Sequence, residues 1–146
     1  MKPFKLHTVL NHRQNLENMA MQRLSLSQQE VEVIQEKMKT KDELLFQVSQ
    51  EFERLKQEEI SIDKVILYQN HIHVLREKIS SLGTDLLKAE EQAEIKREDL
   101  LEAVRDKKLL KKLKEKQDHC YLGFLVKKED EEMDEIAGLH IGRQDI

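Results

Sequence analysis

Residues 59–66 read Glu59-Ile60-Ser61-Ile62-Asp63-Lys64-Val65-Ile66, and here the hydrophobic pattern of the chain changes register. The stretch clusters β-branched residues with Ser61 and Asp63, all weak helix formers. Before it, Leu6, Leu10, Ala20, Leu24, Val31, Ile34, Met38, Leu45, Val48, Phe52, Leu55 and Ile62 fill 12 of the 17 positions generated by alternating steps of four and three. After it, Tyr68, Ile72, Leu75, Ile79, Leu82, Leu86, Ala89, Ala93, Leu100, Ala103, Leu110, Tyr121 and Phe124 fill 13 of 18. A repeat averaging 3.5 residues belongs to a helix that supercoils around a partner. Extending the first frame past Ile62 would place Gln69, His73 and Arg76 in the seam. The two stripes therefore do not belong to one straight rod.

The economical fold is all-α: a long antiparallel two-helix coiled-coil hairpin, forming one elongated domain over 1–146. Helix one is expected over about 6–59, the turn over about 60–64, and helix two from Asp63 or Lys64 to about 136. Ser61 or Asp63 can cap the second helix, since either side-chain oxygen accepts from its free N–H groups. The tail 137–146 (AGLHIGRQDI) holds two Gly and no periodicity, and is expected to be loosely ordered. Gly83 lies inside helix two at a cost of about 1 kcal/mol relative to Ala. A single continuous helix pairing with a second copy is the alternative; a hairpin alone is expected to be a monomer.

Composition narrows the function classes. Of 146 residues, 37% are charged and 4% aromatic, with no Trp. That leaves too little apolar material for the compact core and closed pocket of an enzyme. Neither a phosphate-binding glycine loop nor a nucleophile elbow nor zinc-ligand spacing occurs. His71 and His73 stand two apart, on different faces of a helix, and His119-Cys120 has no second pair nearby. No catalysis, cofactor or metal is expected. A net charge of −4 disfavours nucleic acid as a partner, as does the lack of interleaved aromatics. A single cysteine, Cys120, fits a reducing cytoplasm. No apolar run approaches a membrane span, and no signal-peptide pattern follows Met1.

Two surfaces stand out. Residues 105–116 (RDKKLLKKLKEK) carry seven Lys/Arg against two acids, while 129–135 (EDEEMDE) carry six acids. Lys108, Lys111, Lys112 and Lys116 surround a leucine stripe, either as a solvated coiled-coil face or as a docking surface for an acidic protein. At the start of helix two, Ile66, Leu67, Tyr68, Ile72, Val74, Leu75 and Ile79 exceed what one seam needs. Leu67 and Val74 fall off the seam, either packing the turn or forming an exposed binding patch.

The run Tyr68-Gln69-Asn70-His71-Ile72-His73-Val74-Leu75-Arg76-Glu77-Lys78-Ile79 resembles the YQxxIxxLxxxI stretch of the FliJ family, the stalk protein of the bacterial flagellar type III export apparatus. The ending Lys112-Leu113-Lys114-Glu115-Lys116-Gln117, then Tyr121, then Glu132-Met133-Asp134-Glu135-Ile136-Ala137, is similar to the KLKEKQ…Y…DEIA finish of that family. The opening Phe4-Lys5-Leu6, with Val9, Leu10 and Arg13, matches too. The resemblance implies a non-enzymatic hairpin like the γ subunit of rotary ATPases. It implies a stalk standing in a FliI-like export ATPase hexamer and reaching a FlhA-like export gate, and an escort of export chaperones. It also implies a place in the cytoplasm at the flagellar base, peripheral to the membrane through partners. By position, the implied gate contact falls on Tyr68, His71, Leu75, Lys78 and Leu82. The implied ATPase-ring contact lies at the paired chain ends, with Lys108, Lys111, Lys112 and Lys116.

Overall fold

The computed structural model describes the backbone of residues 3–144 and the side-chain surroundings of residues 6–139. Two helices account for nearly all of it: α1, Pro3–Lys56, and α2, Ile62–Gln144, joined by residues 57–61. They pack against each other as a helical hairpin, and no strand occurs among the described residues. Pro3 opens α1 because its missing N–H lies among those that no helical carbonyl would meet.

The reversal is built without glycine. The Gln57 N–H donates to the Arg54 carbonyl at 3.3 Å and the Glu58 N–H to the Leu55 carbonyl at 3.1 Å, tightening the last turn of α1. Among the described residues no backbone takes a positive φ. Ser61 is the cap of α2: its Oγ accepts from the Lys64 N–H at 3.3 Å and its carbonyl from the Val65 N–H at 3.2 Å. Asp63 sits inside the first turn, where its charge meets the positive end of the helix dipole.

These bounds differ from the expected ones. α1 stops at Lys56 rather than near 59, with basic Arg54 and Lys56 in its last turn. Continuing it would bring acidic Glu58 and Glu59 to the negative end of the dipole. Ile62, counted in the first stripe, is the first residue of α2 and is exposed; Ile60 and Val65 are the half-buried residues of the reversal. At the other end α2 runs through 137–144, where a loosely ordered tail was expected; residues 145–146 lie outside the described ones.

The chain divides into two compact units, residues 19–100 and residues 1–18 with 101–146. In the first, the buried side chains are Val48, Phe52, Leu75, Ala89 and Ala93 plus Ala20, and every one occupies a stripe position. Leu24, Val31, Ile34, Met38, Leu45, Ile72, Ile79, Leu82 and Leu86 are half-buried around them. In the second, Leu6, Leu10, Ala103 and Leu110 are half-buried. A two-in-seven seam covers each side chain on one flank only, so most of its residues stay partly wet.

Candidate functional site

The candidate surfaces follow from what the seam consumes and what it leaves over. Near the reversal, Phe52 of α1 is 5% exposed, and its ring stacks on Tyr68 of α2 with centroids 5.5 Å apart and planes within 1°. The Lys56 ammonium lies 4.3 Å from the centroid of the same Phe52 ring, a cation–π contact. Partial burial pushes the Tyr68 phenol above its ordinary pKa; its hydrogen bond to the Glu51 carboxylate and that negative charge act the same way, while Arg54 opposes them.

Beside this stack lies an open groove of about 470 Å³, lined by Val48, Glu51, Leu55, Lys64, Leu67, Tyr68 and His71. Leu67 is 67% exposed and Val74 43%, as their positions off the stripe require. The five residues of the implied gate contact divide by depth. His71 and Lys78 are exposed, Tyr68 and Leu82 half-buried, and Leu75, at 2% exposure, is spent in the seam. Leu55 is a groove-lining residue that the stripe pattern marks only as core. His73 points elsewhere, with its Nε2 3.0 Å from Glu77 Oε1 one turn along the helix.

The basic run splits in the same manner. Lys107 and Lys114 stand at stripe positions and are half-buried, whereas Arg105, Lys108, Lys111, Lys112 and Lys116 are exposed. Lys107 is held by Glu17 of α1, with Nζ 3.1 Å from Oε2 and side chains 28% and 16% exposed. Arg13 lies 3.6 Å from Asp106 in the same unit. Arg13, Glu17 and Lys107 are charged residues at stripe positions where an apolar one is the rule. The sequence carries that signal as three charges at positions 13, 17 and 107 of the four-and-three spacing. Arg13 Nε and Glu17 Oε2 are buried without a directed hydrogen bond.

Among the described residues no group of three His, Cys, Asp or Glu converges on a metal position, and no helix is long and apolar enough to cross a membrane. His119 and Cys120 are both exposed. What the molecule offers is surface: an apolar groove with His71 and Leu67 at one place, and a row of lysines at another.

No curated protein and no solved structure matches the chain. A family model does: the one described as flagellar FliJ protein matches residues 1–145. With nearly every residue inside that match, the chain belongs to the flagellar FliJ protein family, the export-associated stalk proteins of the flagellum.

Proposed function

We propose that this protein stands in the ring of the flagellar export ATPase and meets the membrane export gate through the turn end of its hairpin. The flagellar FliJ family is one of structural, coupling proteins, which supports a non-enzymatic role. The observation that carries the finer reading is the apolar surplus at the start of α2. The seam needs Tyr68, Ile72, Leu75 and Ile79, yet Leu67 and Val74 are there as well, exposed, beside a groove that includes His71. An uncovered apolar groove with a few polar groups on its rim suits a protein partner. Of the implied gate contacts, His71 and Lys78 are free to meet that partner, while Leu75 acts through the seam. The exposed lysines at 108, 111, 112 and 116 supply a positive face for an acidic lining of the ATPase ring. Escort of export chaperones is a further part of this proposal, as is a cytoplasmic place at the flagellar base, held at the membrane through partners.

The test uses His71→Glu in the full chain. His71 is exposed and lies off the stripe, so helical circular dichroism and melting temperature should be unchanged. Binding to the purified cytoplasmic part of the export gate should fall, and motility with it, at unaltered protein level. Undiminished gate binding by a chain substituted at both Leu67 and His71 would place the contact elsewhere.

A further inference from the structure

Among the residues of α2 whose surroundings are described, Gln117 is the last half-buried one, and every residue from 118 to 139 is exposed. The helix nevertheless keeps a seam. Continuing from the half-buried Leu110, Lys114 and Gln117 in steps of three and four come Tyr121, Leu125, Lys128, Glu132, Ile136 and Leu139. Leu125 is 38% exposed and Ile136 66%, and Phe124 flanks the same face. This is the face that α1 covers further back, carried on with nothing of α1 against it among the described residues.

We propose that residues 118–139 pair with the same segment of a second copy of this chain, antiparallel and centred near residue 130. Read backwards about that centre, four of the six stripe positions fall on one another, and Leu125 comes opposite Glu135. Tyr121 meets Leu139, Phe124 meets Ile136, and the one lysine of the stripe, Lys128, meets its one glutamate, Glu132. A parallel pair in register would instead set Lys128 on Lys128 and Glu132 on Glu132, so charge selects the antiparallel form. The lengths fit too. With residue 130 at the centre, the end of the partner's helix, described to Gln144, comes opposite residue 116, beside the last position that α1 covers. The second copy thus takes the place of α1 where α1 ends, and the two-fold relation makes the interface isologous and closed. This pairing departs from the expected monomer and stands independently of the export reading.

The experiment is sedimentation of the full chain over a range of concentrations, in about 0.5 M salt to screen repulsion between the acids at 129–131. The mass should rise from 17.3 kDa toward twice that value. Leu125→Asp with Ile136→Asp should hold it at the single-chain mass with unchanged helical dichroism, because both side chains are exposed in one chain. Lys128→Glu should weaken the dimer roughly tenfold, since each dimer contains two such pairs, and Lys128→Glu with Glu132→Lys should restore it. A spin label on Cys120, which is exposed, should report a separation of about 30 Å, twenty residues along a helix. A single-chain mass at every concentration would overturn the proposal and leave the stripe to a different protein. A dimer indifferent to Asp at 125 and 136 would overturn it as well. So would a charge swap that fails to rescue, or labels in near contact, which would mean a parallel pair.

Discussion

The charged pair inside the seam invites a perturbation whose sign is not obvious. Glu17 and Lys107 approach to 3.1 Å with most of both side chains covered. At an effective dielectric of about 20 their attraction is roughly 5 kcal/mol. Desolvation of two charges cancels most of that, leaving a net contribution on the order of 1 kcal/mol. Removing one partner is a different matter. Lys107→Met leaves Glu17 Oε2, already without a directed hydrogen bond, as an uncompensated charge, at a cost of about 1–3 kcal/mol. Replacing both, Glu17→Leu with Lys107→Leu, fills two vacant stripe positions with the residue type the seam favours, and the result should be neutral or more stable by about 1–2 kcal/mol. For a chain of this size 1 kcal/mol moves the melting temperature by roughly 2–4 °C. Thermal unfolding followed by circular dichroism should therefore rank Lys107→Met below the wild type and the double leucine variant at or above it. A double variant that melts as low as the single one would refute the reasoning, because the pair would then be a true source of stability.

Three further outcomes are expected. Gly83→Ala should raise stability by about 1 kcal/mol, the helix-propensity difference, since the added Cβ meets only the Met38 methyl at 3.9 Å, an ordinary contact; a lowered melting temperature would show that the seam tolerates no added carbon there. The Tyr68 pKa is raised in the folded chain, so the unfolded chain gives up this proton first; stability should fall as pH climbs past about 10, and Tyr68→Phe should blunt that fall in an alkaline melting series. Replacing Lys108, Lys111 and Lys112 by Glu should weaken binding to the export ATPase ring in a salt-dependent way at unchanged helicity; binding indifferent to both charge and salt would remove the electrostatic role.

Much of the fold could be read from spacing alone, because a seam needs only periodicity. Among the described residues every buried side chain, from Ala20 to Ala93, lies on a stripe position, and the slip in register between 60 and 67 locates the reversal within a few residues. Helix ends were less legible. They depend on which of two short polar residues takes the cap and on acids facing a dipole, differences of about 1 kcal/mol that hydrophobic pattern does not encode. The far end of α2 misled for a related reason: Gly138 and Gly142 weaken a helix without ending one. At the candidate site, exposure of Leu67, Val74 and His71 followed from their positions off the stripe. The depth of Leu75 and the company of Leu55 in the groove did not, since both depend on how two helices meet in space.

The short reversal also sets an order of events during synthesis. α1 leaves the ribosome first, 54 residues long, with its whole apolar stripe uncovered until the residues after Ser61 emerge. The first tertiary contact available is the cheapest one, because the Phe52–Tyr68 stack closes a loop of only fifteen intervening residues. Each later turn of α2 then meets a turn of α1 already in place, so the chain can close as a zipper that starts at Ser61. A nascent chain halted near residue 50 should bind hydrophobic holdase chaperones, and one extended past residue 100 should largely have let them go.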